Sequence, residues 1–411
     1  MEQKDKQILR DLAKQITEIA ALPKQEETRK LWRAINGLKP VRPMVMADQV
    51  CWNEMNVDDE LTLTCESKEA QGWEWGLRAK LYQWRHFPSD MVMEDFIRVP
   101  KAFKNTGFGV GVVETDVRAT DEKNSVWSHV YANQFTKPED VERIKSPVIT
   151  PEPEETERRM NNAADIFGDS IKIVSYGADP YLSVWDPISS LMSVEGACYA
   201  LADDPDMMHA IVKKYVDGYM SMLDQFEEYG LLCHSQALIH CTGAYADDLP
   251  APGFNPDKPR TKDVWMFGLA QMFSTVSPAM FEEFELLPNM PIFERFGLVY
   301  YGCCDPLDLK MKEVRRIPNC RKISMSPWVN KERGASQIGK DYVFSNKPNP
   351  AFLATATFDE DLVRNDLTET KNICEKYGCP VEFILKDIST VRYEPKRLWR
   401  WTEIALEVAN S

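Results

Sequence analysis

The chain has 411 residues, of which 44% are hydrophobic and 27% charged, so it is too long for one small core. Its net charge of -15 argues against nucleic-acid binding, which depends on Lys and Arg contacts to phosphate. No apolar run approaches the roughly 18 residues of a membrane span. The N-terminus is charged from its second residue, and ten cysteines come without a secretory signal. We therefore expect a soluble cytoplasmic enzyme with reduced thiols.

The first predicted elements are helices. Apolar residues recur at helical spacing over residues 4–20, and a second short helix is predicted over 25–36. After Pro40 and Pro43 comes the run PMVMAD, which is typical of a buried strand. We therefore predict a helical cap over residues 1–40 and one catalytic domain over residues 41–411.

Further along, strands and helices are predicted to alternate. Residues 107–135 favour a β-hairpin excursion, because apolar residues alternate there with glycine and polar residues. Strands are then predicted at 172–178, 237–240, 298–302, 321–326, 341–345 and 381–387. Helices are predicted at 205–229, 359–377 and 395–410, with two consecutive helices over 264–295. This alternation favours an α/β fold with a parallel sheet. No glycine-rich phosphate loop follows a strand, so the prediction is a TIM (β/α)8 barrel.

In such a barrel the active site forms from residues that follow the carboxyl ends of the strands. His240 ends the strand predicted at 237–240, and the long proline-rich stretch 248–260 after it is predicted to be a functional loop. Cys303 and Cys304 follow another strand. Thiolates and imidazoles are preferred zinc ligands, so these three residues are candidate metal ligands. The alternative is structural, since free cysteine also behaves as a small buried hydrophobe.

Other strand ends carry polar or aromatic side chains. Trp52, Asn53 and Glu54 follow the first strand, and Trp328 follows the strand at 321–326. Lys386 and Asp387 are either a structural ion pair or an acid–base pair. Seven tryptophans outside the terminal helices suggest an aromatic cavity, with ordinary packing as the alternative. They are Trp52, Trp73, Trp75, Trp84, Trp127, Trp265 and Trp328.

The region from Asp263 to Glu407, about a third of the chain, resembles the uroporphyrinogen decarboxylase-like superfamily. The resemblance is carried by DVWMFGLAQMFSTVSPAMFEEF, FGLVYYGCCDPLD, RKISMSPW, DYVFSNKPNPAFL and ILKDISTVRYEPKRLWRW. It implies a TIM barrel. The superfamily contains decarboxylases and zinc-dependent corrinoid methyltransferases, and the second branch fits better. After PMVMAD there is no arginine to hold the porphyrinogen carboxylates.

The methyltransferase branch implies a zinc site with a His-x-Cys pair and a later cysteine. Cys303 matches the family cysteine, Tyr301 stands at the histidine position, and the last strand has no cysteine. Either zinc is held by a different set, drawn from His240, Cys304, Glu294 or Asp387, or no zinc is bound.

The resemblance implies a methyltransferase that moves a methyl group from a small methylated substrate to the Co(I) corrinoid of a partner protein. A phenyl methyl ether is the favoured substrate. The predicted roles are metal binding for His240, Cys303 and Cys304, proton donation for Glu54, Tyr301 or Asp387, and substrate binding for Trp52, Asn53, Trp328 and Lys386. The alternatives are a lyase acting on a carboxylated substrate and a non-catalytic ligand-binding barrel. The methyl donor, the direction of transfer and the oligomeric state stay open, with a homodimer among the alternatives.

Overall fold

The computed structural model describes residues 1–117 and 128–411. Its strands, in chain order, are β1 (Met44–Ala47), β2 (Phe96–Pro100), β3 (Phe103–Asn105), β4 (Glu114–Val117), β5 (Ser128–Tyr131), β6 (Ile149–Pro151), β7 (Lys172–Tyr176), β8 (Tyr181–Leu182), β9 (Leu238–Ile239), β10 (Thr242–Gly243), β11 (Trp265–Gly268), β12 (Leu298–Tyr301), β13 (Cys320–Met325), β14 (Val343–Asn346) and β15 (Val381–Leu385).

The helices of the same residues are α1 (Gln3–Ala20), α2 (Pro23–Asn36), α3 (Lys68–His86), α4 (Pro153–Phe167), α5 (Trp185–Met192), α6 (Val194–Asp203), α7 (Pro205–Glu228), α8 (Pro278–Phe281), α9 (Leu287–Phe293), α10 (Met311–Val314), α11 (Lys331–Ile338), α12 (Ala351–Ala354), α13 (Glu360–Tyr377) and α14 (Lys396–Asn410). A π-helical turn, Glu282–Leu286, joins α8 to α9. Among these helices, none combines the length and apolar character needed to cross a membrane.

A parallel sheet organises the fold, as the alternation of strands and helices predicts. In the described part of the chain its seven strands lie in the order β1-β15-β14-β13-β12-β11-β8, and all neighbours are parallel. Strand β15 is buried along its whole length, as expected for a strand covered on both faces. β2 and β7 form a separate parallel pair. Strand pairing among the described residues leaves β1 and β8 as open edges, so it does not close the sheet into a barrel.

Side chains alternate between the two faces of this sheet, because successive residues of a strand point in opposite directions. Tyr301 faces the helices and packs edge-on against Phe281 and Phe293. Its neighbour Tyr300 faces the other way, toward Phe267. The second face, which we call the inner face, also carries a buried polar row made of Lys322, Ser345 and Glu382.

The helical cap and the hairpin excursion are found where the sequence predicts them. α1 and α2 precede β1, and Arg10 of α1 donates hydrogen bonds to the carbonyls of Asp165 and Ile166 at the end of α4. The domain boundary at residue 40 stays a prediction. β4 and β5 pair antiparallel, with Glu114 opposite Tyr131. Trp127, one of the seven tryptophans named above, lies outside the described residues.

Three predictions are corrected. The segment 264–295 is not two helices, because Trp265–Gly268 forms strand β11 of the sheet, between β12 and β8. A short apolar run fits a buried strand and a buried helix equally well, and pairing with β12 decides it here. The predicted strand at 237–240 does not join the parallel sheet. Its residues Leu238–Ile239 form a two-stranded antiparallel hairpin with β10.

The third correction concerns the proline-rich loop 248–260, which lies at the amino-terminal ends of the strands. Asp248 accepts a hydrogen bond at 2.8 Å from Arg321, near the start of β13. A Cβ on Gly297, which directly precedes β12, would lie 2.5 Å from the Leu249 side chain. The β9–β10 hairpin reverses the chain, so this loop lies opposite the strand ends where an active site is expected.

Candidate functional site

His240 projects from the two-residue turn of the β9–β10 hairpin. Both turn residues have left-handed backbones, with φ of 35° at His240 and 68° at Cys241. Two-residue hairpin turns with positive φ are ordinarily made of Asn and Gly, which tolerate this conformation. The imidazole of His240 stacks on Phe267, with ring centroids 3.8 Å apart and planes 13° apart. Backbone strain of this kind concentrates at functional sites, so the turn marks His240 as a candidate.

Cys303 and Cys304 lie just beyond the carboxyl end of β12. Gly302 makes the turn possible, because its φ is 92° and a Cβ there would lie 2.4 Å from Leu307. The turn is held by the backbone N–H of Cys303, which donates to Asp305 at 3.3 Å. The hydroxyl of Ser324 donates to the Cys303 carbonyl at 2.8 Å.

The two sulfurs lie beside an imidazole and an ammonium from distant parts of the chain. Cys303 Sγ is 3.4 Å from His240 Nε2 and 3.5 Å from Cys304 Sγ. Lys386 Nζ, just beyond β15, lies 3.3 Å from Cys303 Sγ and 3.5 Å from Cys304 Sγ. It also donates to Asp387 Oδ2 at 2.5 Å. We call these five residues the thiol–lysine cluster.

The pKa values of the two thiols are shifted in opposite directions. The hydrogen bond from Cys303 and the nearby Lys386 ammonium lower the pKa of Cys304 to about 7, against the opposing effect of burial. The same hydrogen bond and burial raise the pKa of Cys303. Burial lowers the pKa of Lys386, but the two cysteines and Asp387 outweigh it and leave that pKa raised. At pH 7 about half of the molecules thus carry one thiolate in this pair, centred on Cys304 and matched by the Lys386 cation.

His240 remains neutral in this setting. Burial lowers its pKa to about 3, and the positive charges of Lys347 and Lys386 act in the same direction. A neutral imidazole can accept a hydrogen bond or bind a metal, but it does not act as a cation.

A second buried lysine borders the cluster. Lys347 donates to Ser345 Oγ at 2.6 Å and to the hydroxyl of Tyr300. Ser345 in turn donates to Glu382 Oε1 at 2.6 Å, and Lys322 donates to the other oxygen of Glu382 at 2.7 Å. Burial lowers the pKa of Lys347 to about 8. The inner-face network therefore holds a second, more readily deprotonated ammonium at the edge of the site.

Two spaces of different size meet at Cys304. A small cavity of about 30 Å³ is bordered by both cysteines, both lysines and Pro327. A groove of about 630 Å³ leads from Cys304 past Met272 and Tyr131 to solvent. The narrow space has the volume of roughly one water molecule, whereas the groove can hold a larger group.

The cluster as arranged does not fit a zinc ion. A catalytic zinc needs three protein donors around it, with bonds of about 2.0–2.3 Å. His240, Cys303 and Cys304 do not form a set of donors within 4.8 Å of one another, and the Lys386 ammonium lies against both sulfurs. Within residues 1–117 and 128–411, the set that meets this distance is Glu114, Asp116 and His129, which are all exposed on the β4–β5 hairpin. Zinc binding by the cluster stays a prediction.

The proton donors predicted near the first strand and β12 lie elsewhere. Glu54 is buried and accepts hydrogen bonds from the Thr390 hydroxyl and the backbone N–H of Val391, so it fixes the loop after β15. Tyr301 donates to Glu285 at 2.8 Å on the helical face of the sheet. Only Asp387, of the three predicted donors, lies in the thiol–lysine cluster.

The predicted substrate-binding residues are also dispersed. Trp52 packs edge-on against Trp75, with ring centroids 5.7 Å apart, in an aromatic group around Tyr82. The side-chain nitrogen of Asn53 is buried without a partner among the described residues. Trp328 is 72% exposed. Of this group, only Lys386 belongs to the cluster.

Lys347, which borders the cluster, and Glu285, which accepts from Tyr301 on the helical face of the sheet, are not assigned a role from the sequence. Lys347 follows a predicted strand and lies two positions after Ser345, which places it on the same face of β14. That spacing is the signal that could have identified it. Glu285 lies in the π-helical turn Glu282–Leu286, and no local sequence pattern identifies it.

No protein-family model matches the chain, and no curated protein matches it. Among solved structures, the chain is similar to a methyltransferase from Methanosarcina mazei, with a TM-score of 0.49 and 11% identity, over 93% of this chain and 97% of that one. A similarity of this extent does not decide the activity. Membership of the uroporphyrinogen decarboxylase-like superfamily therefore stays a prediction.

Proposed function

We propose that this protein is a methyltransferase whose reaction centre is the thiol–lysine cluster. It moves a methyl group from a small methylated substrate, best represented by a phenyl methyl ether, to the Co(I) corrinoid of a partner protein. One observation carries the proposal: two thiols, an imidazole and an ammonium converge at the carboxyl end of the parallel sheet, where a groove reaches Cys304. We also propose the TIM-barrel architecture, with the β2–β7 pair lying in the gap between β1 and β8.

Methyl transfer from an ether requires stabilisation of the oxygen that leaves the methyl group. When the methyl–oxygen bond breaks, its electron pair stays on the oxygen, and a phenolate leaves poorly at neutral pH unless that oxygen is protonated or bound to a cation. A reduced corrinoid supplies the nucleophile that takes the methyl carbon. The chain supplies two ammonium groups beside the small cavity, those of Lys347 and Lys386.

The two lysines are suited to different tasks. Lys386 has a raised pKa, keeps its proton and stabilises the Cys304 thiolate and the developing negative charge on the oxygen. Lys347, with a pKa of about 8, gives its proton to the ether oxygen more readily. Environments that push two pKa values apart are a general means of assigning acid and base roles.

The size of the small cavity limits which part of a substrate enters. A space of about 30 Å³ accommodates a group the size of a methyl group or a water molecule. The remainder of the substrate must then lie in the wider groove, where Met272 and Tyr131 provide apolar surface. A small methylated compound with a larger leaving group fits this division.

The lyase alternative is favoured by one observation. Two buried cations, Lys347 and Lys386, lie where a carboxylate could bind, although no arginine follows β1. The direction of methyl transfer also stays open, since transfer from a methylcorrinoid to a thiol would use the same groups.

The deciding experiment follows the conversion of Co(I) to methyl-Co(III) by absorbance. Purified protein is mixed with a panel of methoxylated aromatics and with either cob(I)alamin or a reduced corrinoid protein. We expect substrate-dependent conversion that falls at least 100-fold in Cys304→Ala and His240→Ala. Cys198→Ala, which changes a cysteine on α6 outside the cluster, is the matched control and retains activity.

Three results would contradict the proposal. One is the absence of conversion with every methoxylated aromatic, methanol, methylamine and methylthiol tested. Another is equal activity in wild type, Cys304→Ala and His240→Ala. The third is release of carbon dioxide from a carboxylated substrate without methyl transfer, which would identify the lyase.

A further inference from the structure

The groove of about 630 Å³ that reaches Cys304 has a wall with a distinct charge pattern. The wall is formed by α5, by the turn Gln271–Thr275 that follows β11, and by Tyr131 of β5. Among the residues that the structure describes, Asp186 supplies its one carboxylate, and no lysine or arginine lines it. Four hydroxyl groups complete its polar surface, those of Ser189, Ser190, Ser274 and Thr275. A ligand in this groove therefore meets a negative charge and neutral hydrogen-bonding groups.

The carboxylate of Asp186 is not paired with a cation in the described part of the chain. Its two oxygens accept from the side-chain amide of Gln271 and from the hydroxyl of Tyr181, each at 3.3 Å. Both donors are neutral, and both distances are longer than the roughly 2.7–3.2 Å of typical hydrogen bonds. Asp186 is half-buried, so it is neither sealed from a ligand nor fully surrounded by water. The side chain thus keeps its negative charge and has lone pairs left for a ligand.

The β4–β5 hairpin adds negative charge on the same side of the groove as Tyr131. Glu114 lies opposite Tyr131 in the antiparallel ladder, so the two side chains share one face of the hairpin. Asp116 follows on that face, and the imidazole of His129 lies 3.1 Å from Glu114 and 3.5 Å from Asp116. One imidazole can neutralise at most one of two carboxylates. The hairpin face beside Tyr131 therefore carries a net negative charge among its described residues.

Positive charge is found at the other end of the site. The ammonium groups of Lys347 and Lys386 border the small cavity and not the groove wall. Lys386 is paired with Asp387 at 2.5 Å and lies against both sulfurs, whereas Lys347 donates to Ser345 at 2.6 Å. The site is thus polarised, with cations where the proposed ether oxygen would lie and carboxylates where the remainder of the substrate would lie.

We propose that the groove selects substrates whose non-reacting part carries an ammonium group, so that Asp186 binds this group while the methoxy group enters the small cavity. The inference rests on the proposed function and narrows its substrate class to cationic phenyl methyl ethers. Opposite charges at contact distance near a protein surface attract each other, and a carboxylate on the substrate would be repelled. A groove of this volume is within the usual range for small-molecule sites, so a substituted benzene ring can be accommodated.

The test measures binding of three compounds that share one methoxyphenyl group, by ligand-observed NMR titration of the full-length protein without corrinoid. They are 3-methoxybenzylamine, 3-methoxybenzyl alcohol and 3-methoxybenzoate, which are cationic, neutral and anionic at pH 7. We expect the amine to bind about tenfold more tightly than the alcohol, and the benzoate to bind most weakly. Asp186→Asn should weaken binding of the amine about tenfold and binding of the alcohol less than threefold.

Asp206→Asn is the matched control, because it removes an exposed carboxylate from the first turn of another helix, α7, outside the groove wall. It should leave the preference for the amine at its wild-type value. Circular dichroism of both variants verifies folding. Addition of 0.5 M NaCl should reduce the preference in wild type, since an ion pair near the surface is screened by salt.

The outcomes separate this inference from the proposed methyl transfer. Equal binding of amine and alcohol by wild type, an unchanged preference in Asp186→Asn, or no saturable binding of any of the three compounds would overturn the charge selection. Methyl-Co(III) formation at the same kcat/KM from the amine, the alcohol and the benzoate would overturn it as well, while supporting methyl transfer. Charge-dependent binding lost in Asp186→Asn, without methyl-Co(III) formation, would support the groove assignment and contradict the proposed function.

Discussion

The ammonium nitrogen of Lys386 lies 3.5 Å from the sulfur of Cys304, although 82 positions separate the two residues. The same nitrogen is 3.3 Å from Cys303 Sγ and 2.5 Å from Asp387 Oδ2, and the Lys386 side chain is only 3% exposed. A cation held this close to two thiols, away from solvent, favours the thiolate of whichever sulfur loses its proton first.

The contact between Lys386 and Cys304 predicts that the Cys304 thiol reacts readily with alkylating reagents. With a pKa of about 7, roughly half of the Cys304 thiols are ionised at pH 7, so iodoacetamide should label it faster than the buried cysteines. Lys386→Met removes the cation and raises the pKa of Cys304, which should slow its labelling at pH 7 by about tenfold. Peptide mass spectrometry over pH 6–9 measures the rates. Lys312→Met, which changes an exposed lysine of α10, is the control; the same pH profile in Lys386→Met and wild type would refute the assignment.

The raised pKa of the buried carboxyl of Glu285 predicts that the free energy of unfolding declines as pH rises. Burial raises its pKa to about 8, despite the hydrogen bond from Tyr301. The native state therefore keeps a proton that the unfolded chain releases near its ordinary, lower pKa. The free energy of unfolding is thus highest below that ordinary pKa and falls as pH rises toward 8.

Glu285→Gln removes this titration, so its free energy of unfolding should depend less on pH between 5 and 8 than that of wild type. Urea denaturation at pH 5, 6.5 and 8 measures the difference. Glu283→Gln changes an exposed residue of the same π-helical turn and is the control. Parallel pH curves for wild type and Glu285→Gln would be incompatible with a buried, protonated carboxyl.

Because the Lys322–Glu382 ion pair is buried, we expect that removing one partner lowers the free energy of unfolding strongly. Both side chains are fully buried, with Nζ 2.7 Å from Oε2, and Thr242 also donates to Glu382. Lys322→Met leaves an unmatched buried carboxylate and should lower the free energy of unfolding by about 3–5 kcal/mol. Denaturant titration of the two single variants and the double variant Lys322→Met/Glu382→Leu gives the coupling energy.

The surface pair Arg364–Glu407 supplies the comparison, because both side chains are substantially exposed. Arg364→Gln should cost about 1 kcal/mol or less. A similar cost for the buried and the exposed pair would show that the inner-face network does not stabilise the fold.

At Gly243, where the β9–β10 hairpin packs against helix α2, any larger side chain would clash with Trp32. A Cβ there would lie 2.3 Å from Cδ2 of Trp32, and that ring is fully buried and donates to the Asp90 carbonyl. Gly243→Ala should therefore destabilise the protein by about 1–3 kcal/mol. Gly72→Ala, in α3 with no atom within 4 Å of the new Cβ, should instead stabilise it by roughly 0.5–1 kcal/mol. Thermal or urea unfolding measures both; equal effects would refute the steric explanation.

Much of the fold could be predicted because its signals are local. The helical period over residues 4–20 became α1, and Asp359 and Gly378 bound α13 as N-cap and left-handed C-cap. The short apolar runs after residue 297 became β12 to β15, in parallel register. The run WMFG could not be assigned, since its four buried residues fit either a helix or a strand until β12 pairs with it.

Only part of the candidate site can be predicted from the sequence. Strand ends can be located, but the directions of the side chains cannot. Residues at strand ends can be identified from the sequence, which is why His240, Cys303, Cys304, Lys386 and Asp387 are all predicted site residues and all lie in the cluster. The direction of a side chain depends on packing. Tyr301 points to the helices and Tyr300 to the inner face, although both belong to the same strand.

The order of residues along the chain is enough to predict the helical and strand periods, the absence of a glycine-rich phosphate loop and the set of residues capable of chemistry. These properties depend on neighbouring residues along the chain. Which of those residues come into contact depends on the three-dimensional fold. His240 reaches Cys303 across 63 positions only because a two-residue turn inserts it beside β12, and Lys386 reaches both thiols because β15 ends next to them. Distances between remote residues are fixed by sheet order and packing, which no local pattern encodes.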